Sequence, residues 1–171
     1  MRPLSVFATG LALAACSGGS DTPEPPSASA AIATAVADQS LPTETYVSPM
    51  ARFDLTLPGV WKGRYIAEEK NDTTAGAHTG VEFKFVPDSG SKAPSFTLMT
   101  VRIFSRAAWE KSKNLTSGPI GSVLAERGDD VFALSLPREN PYNPGTPEAI
   151  MYDRLIISIA QGGQQVHLTL R

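Results

Sequence analysis

Between Phe53 and Leu57 the apolar residues fall on every second position, with Asp54 and Thr56 between them, and Pro58-Gly59 ends the run. That period of two predicts a half-buried strand closed by a turn. A second strand is expected from Gly63 to Glu69, after Val60 and Trp61, and the polar stretch 71–80, which contains His78, reads as a loop. Val81, Phe83 and Phe85 alternate with Glu82 and Lys84 in a third strand, which Pro87-Asp88-Ser89-Gly90 closes. Ser95 to Phe104 is different. Phe96 and Leu98 lie on one face and Met99, Val101 and Ile103 on the other, which predicts a central strand covered on both sides.

Ser105 is placed to cap a short helix through Lys113, with Trp109 turned inward. Val123 to Glu126 and Val131 to Leu136 flank Arg127-Gly128-Asp129-Asp130 and predict a hairpin. Thr146-Pro147-Glu148 supplies an N-cap, a first-turn proline and a first-turn acid. Ala149, Tyr152, Ile156 and Ile159 then share one helical face, and Gly162 is suited to end the helix. Val166, Leu168 and Leu170 alternate with His167 and Thr169 in a last strand. The order predicts an α+β fold: a mainly antiparallel sheet of about six to seven strands, with two helices packed on one face.

Ahead of this domain the pattern changes. Arg2 is followed by an uncharged, mostly apolar run from Leu4 to Ala15, which is the length of a secretory leader and too short to span a bilayer. It ends in Leu13-Ala14-Ala15-Cys16, which resembles the lipobox of bacterial lipoproteins. The resemblance implies cleavage between Ala15 and Cys16, a diacylglyceryl thioether on Cys16 and a further acyl chain, such as palmitate, on the new amino terminus. Several acyl chains give stable anchoring, at about 0.8 kcal/mol per buried methylene. Ser17, where some lipoproteins carry Asp, implies sorting to the outer membrane with the domain facing the periplasm.

Residues 17–45 number 29, of which 21 are Ser, Gly, Pro, Thr or Ala, with no aromatic, Lys or Arg. Such a stretch buries too little apolar area to offset its ordering entropy and predicts a disordered tether. As a flexible coil it reaches on the order of 30 Å. The expected organisation is a leader over 1–15, a lipidated cysteine and tether over 16–45, and one globular domain over 46–171.

Without the leader the chain holds 14 Lys plus Arg against 17 Asp plus Glu, a balance that does not favour nucleic acid as a partner. Cys16 is the single cysteine, so its lipidation leaves no thiol for disulfides, zinc or nucleophilic catalysis. Neither a metal site nor a cofactor is expected from the remaining residues. His78, with Asp72 in the same loop, and His167 are the two imidazole candidates for general-base chemistry, and each lacks a recognisable partner spacing. Ser89-Gly90-Ser91-Lys92 matches S-x-x-K, but the glycine and the preceding Pro87-Asp88 favour a turn over the helix that chemistry needs. Arg127-Gly128-Asp129 spells an adhesion tripeptide at a position where a hairpin needs its turn residues. Trp61, Tyr65 and Trp109 suit either a ligand cleft or the core. The loop from Pro137 to Pro147 offers Asn140, Tyr142 and Asn143 as partner-binding candidates, against a plain role as a rigid connection.

Phe53-Asp54-Leu55-Thr56-Leu57-Pro58 and Trp61-Lys62-Gly63-Arg64-Tyr65 resemble the opening of small exported bacterial domains of uncharacterised role. The element order is more distantly similar to the PsbP-like α/β fold. Both resemblances imply a fold and no reaction. The expected function is therefore a lipid-anchored envelope protein whose non-catalytic domain binds a partner or ligand; the alternative is a small periplasmic hydrolase or carbohydrate-active enzyme using the His78 loop. Deleting residues 164–171 removes the last strand and is expected to unfold the domain, a result that calorimetry reads as loss of the cooperative thermal transition.

Overall fold

The computed structural model describes residues 41–114, 121–161 and 166–171. The leader, Cys16, the tether up to residue 40 and Gly162 lie outside the described residues. Eight strands and two α-helices follow in the order β1 (Glu44–Ser48), β2 (Phe53–Leu57), β3 (Tyr65–Lys70), β4 (Ala77–Phe85), β5 (Thr97–Ser105), α1 (Arg106–Ser112), β6 (Ser122–Arg127), β7 (Asp130–Ser135), α2 (Pro147–Gln161) and β8 (His167–Leu170). The fold is α+β and every strand pairing is antiparallel.

The strands form two sheets where one was expected, a three-stranded sheet in the order β1-β2-β8 and a five-stranded sheet in the order β3-β4-β5-β7-β6. The extra strand is β1, which begins inside the stretch read as tether. Its inward positions are Glu44, Tyr46 and Ser48, so it carries no apolar alternation to announce it. The split into two sheets arises because β8 pairs with β2, more than a hundred residues away in sequence, instead of with the hairpin before it.

Phe53, Leu55 and Leu57 of β2 are fully buried against Val81, Phe83 and Phe85 of β4 and Met99, Val101 and Ile103 of β5. Tyr152, Leu155 and Ile159 of α2 join this same core. Burying one such side chain contributes about 1.5–3 kcal/mol. A bulge inserts Leu98 opposite the Phe83–Lys84 step, which adds Leu98 to the core beside Met99. Between β2 and β3, Trp61 is buried in a short 3-10 turn and its indole donates to the Leu155 carbonyl at 3.3 Å and to Ser158 Oγ at 3.1 Å.

The helices do not share a face. Ile103 and Phe104 are successive residues of β5 and point to opposite sides of the sheet; Ile103 lies in the core with α2, whereas Phe104 packs with Ala77, Val131 and Ala133 under Trp109 of α1. Helix α1 starts at Ser105, whose Oγ accepts from the Ala108 N–H at 3.2 Å. Thr146 caps α2 in the same way, accepting from the Ala149 N–H at 3.2 Å. The face of the five-stranded sheet beyond α1 is polar, with pairs from Lys70 to Glu82, Lys84 to Glu68 and Arg102 to Asp72.

Asp72 is buried on that face. Its carboxylate accepts from the Thr74 N–H at 2.9 Å and from Arg102 Nε at 2.8 Å. Burial raises its pKa, but these bonds and the Arg102 charge outweigh burial and hold it below the usual aspartate range. The loop sits this close because residue 80 is glycine: a Cβ there would stand 2.9 Å from both Asp72 Cβ and Oδ2. Gly80→Ala is expected to cost about 1–3 kcal/mol of stability by displacing Asp72 from Arg102. A carboxyl with a depressed folded pKa contributes stability above the unfolded value of ~3.9 and loses it as pH falls through the folded value. The deficit of Gly80→Ala, measured by urea unfolding, should therefore narrow as pH drops below about 4.

Candidate binding surface

The Pro-rich loop is fastened to the domain through two of its three candidate residues. Asn140 Nδ2 donates to the Ala149 carbonyl at 2.9 Å, and Asn140 Oδ1 accepts from the Tyr142 N–H at 3.0 Å. The Tyr142 ring meets Phe85, Phe96 and Tyr152 edge-on, and its hydroxyl donates to the Pro94 carbonyl at 2.5 Å. Asn143 is exposed, and its carbonyl accepts from Thr146 Oγ1 at 2.9 Å. The loop thus reads as the rigid connection into α2.

His78 stands on β4, not in a loop. Ala77 pairs with Phe104 and Thr79 with Ile103, which leaves His78 as the extra residue of a bulge. Its Nδ1 lies 3.2 Å from Thr79 Oγ1 and its Nε2 lies 3.4 Å from Asp130 Oδ1, so its carboxylate neighbour is Asp130 and not Asp72. Hydroxyl, imidazole and carboxylate thus follow one another in the order used to activate a nucleophile. Yet the imidazole is half exposed, and the second oxygen of Asp130 is engaged by Arg127 at 3.3 Å. His167 is exposed on β8 opposite Thr56. Trp61 and Trp109 are core residues, whereas Tyr65 is half-buried. In the S-x-x-K stretch, Ser91 Oγ accepts from the Ala93 N–H and donates to Glu148. Among the described residues no three His, Cys, Asp or Glu side chains are grouped to hold a metal ion.

Arg127, from the adhesion-like tripeptide, closes one side of the sandwich. Its guanidinium stacks over Phe132 and donates to the carbonyls of Arg52, Arg171 and Ala51 at 3.1, 3.4 and 3.4 Å. Strands β6 and β8 lie side by side there.

The other side is a polar seam between β1 and β3, which the sequence pattern did not reveal. Tyr46, packed on Phe53 and Phe83, donates its hydroxyl to Glu69 Oε1 at 2.6 Å. Glu69 Oε2 accepts from the Met50 N–H at 3.1 Å. Tyr65 lies against Trp61 and Phe83, within the field of Glu44. Glu44 Oε2 is buried and accepts no hydrogen bond. Burial, and then the bond and charge of Glu69, push the Tyr46 hydroxyl far above its ordinary pKa. Burial, followed by the Glu44 charge, pushes Tyr65 up to about 12. The only sequence signal for this seam was the pair of tyrosines near acidic residues at the start of the domain.

No protein-family model, curated sequence or solved structure matches this chain. The surface is therefore argued from its own geometry.

Tyr142 and Tyr152 are also raised, chiefly by burial, so all four tyrosines of the chain hold their protons beyond the ordinary range. The unfolded chain releases these protons near pH ~10, so above that pH the folded state binds more protons and stability falls as pH rises. Phenolate absorbance is expected to appear together with loss of the circular dichroism of the fold, in one transition. Gradual ionisation near pH ~10 with the fold intact would show that the seam is solvated.

Proposed function

We propose that this chain is a lipoprotein of the bacterial envelope, held by acyl chains on Cys16 at the periplasmic face of the outer membrane, and that its domain acts by binding rather than by catalysis. The observation that carries the binding role is the seam, where Glu44 stands on the outermost strand of the smaller sheet with no described Lys or Arg to pair with and one oxygen without a hydrogen bond. Glu44 is half-buried at a free strand edge and no described Lys or Arg pairs with it, which favours a site that a partner's cation completes.

The address is supported by the leader, the Leu13-Ala14-Ala15-Cys16 motif and the composition of the residues behind it. The path of the chain also fits a tethered domain. Leu41 and Pro42 press against Gly59, where a Cβ would fall 2.3 Å from the Pro42 carbonyl oxygen. From that corner the chain runs directly into β1, so the tether and the seam are adjacent in sequence.

Cys16→Ala is expected to abolish incorporation of labelled palmitate and to move the protein from the membrane pellet to the soluble fraction. The thermal transition of its domain should stay unchanged. Membrane retention equal to that of the native chain would refute lipid anchoring.

A further inference from the structure

We infer that β1 binds by strand addition, and that its partner is an extended segment of another envelope protein carrying a Lys or Arg side chain that pairs with Glu44. The inference rests on the binding role proposed above and names its partner class.

Strand β1 pairs with β2 on one side, and no described strand pairs with its other edge. An unpaired edge presents a row of backbone N–H and C=O groups, the template that extended peptides use. Protected edges carry lysines, prolines, inward-pointing charges or short bulged strands. The edge strand β3 fits that description, with Lys70 and Glu68 held in ion pairs across to β4. Strand β1 has a single such device, the inward charge of Glu44, which a partner's cation would neutralise; Glu44-Thr45-Tyr46-Val47-Ser48 contains no Lys, Arg or Pro. Val47 is 49% exposed on its outer face, and Met50 is 61% exposed just beyond it.

Charge complementarity selects the occupant. Glu69 already accepts two hydrogen bonds, from Tyr46 and Met50, whereas Glu44 Oε2 accepts none. An ammonium or guanidinium brought in by an added strand would pair with the half-exposed carboxylate of Glu44 at this edge, which no described Lys or Arg pairs with. Glu44 faces inward and Val47 outward, three positions apart. The matching segment therefore carries a basic residue three positions from an apolar one, on opposite faces of the added strand.

The test uses the full-length chain in intact envelopes, with photoreactive benzoylphenylalanine replacing Val47 or, in a second chain, Asn143, and the cross-linked peptide sequenced. Position 47 is expected to label a segment with Lys or Arg three residues from the labelled site. Adding Glu44→Met should cut that yield about tenfold or more, in line with loss of a buried charge pair. The same substitution removes a half-buried carboxylate that no described Lys or Arg pairs with, so the thermal midpoint of the purified full-length chain in detergent should hold or rise. A purely structural Glu44 would lower it, and that result overturns the inference.

Labelling from 143 but not 47 overturns strand addition and leaves the binding role standing. Labelling from neither overturns both. An adduct from 47 on lipid, on a second copy of this chain, or on a segment without a basic residue overturns the partner class.

Discussion

The architecture depends on a mismatch of length between its two sheets. Strands β4 and β5 each have nine residues and β2 has five. At about 3.4 Å per residue the long strands run ~30 Å and β2 ~17 Å, which leaves ~13 Å of apolar sheet uncovered. An α-helix with its side chains is about 10–12 Å across, so one helix fills the remainder. Helix α2 takes that place, setting Tyr152 against Phe85 and Leu155 and Ile159 into the same core. Trp61 occupies the junction where β2 stops, and its indole bonds to α2 give a buried polar group the partners it requires.

The two long sides of the sandwich are finished differently. On the β6–β8 side, Arg127 satisfies three backbone carbonyls at the end of the smaller sheet, two in the β1–β2 turn and one just past β8, while its cationic face rests on Phe132. Each bond is modest, but together they join the sheets with groups that all find partners. On the β1–β3 side the sheets meet through tyrosines and glutamates, and one carboxylate oxygen stays without a partner. That asymmetry joins the sheets by a cation on one side and leaves two glutamates at the open edge of the other.

What the sequence disclosed follows the reach of its signals. Strands with apolar alternation, such as Phe53–Leu57, and capped helices, such as the one after Thr146, were legible because their causes are local. Strand β1 was hidden because its inner residues line a polar seam. The start of β4 was hidden because the bulge at His78 breaks the period and Gly80 is there to admit Asp72. The division into two sheets and the placing of the helices on opposite faces depend on β8 returning to β2, a pairing no local window contains. The seam was least legible of all, since Glu44 and Tyr65 become neighbours only once both sheets are stacked.

The proposed anchor and the proposed edge binding would answer each other's weakness. A five-residue edge such as β1 offers an added strand about four or five backbone hydrogen bonds, each contributing ~1 kcal/mol net. That total corresponds to dissociation constants of roughly 0.1–1 mM, too weak for capture from free solution at ordinary protein concentrations. Holding both partners at one membrane changes the arithmetic. A linker with the composition of residues 17–43 reaches on the order of 30 Å and confines the domain at effective concentrations in the mM range. Under the anchored reading, edge binding is weak enough to be released and still occupied when a basic extended segment is displayed nearby. On the same reading the partner's charge adds the remaining selectivity, because a cation complements the carboxylate that Glu44 presents at this edge.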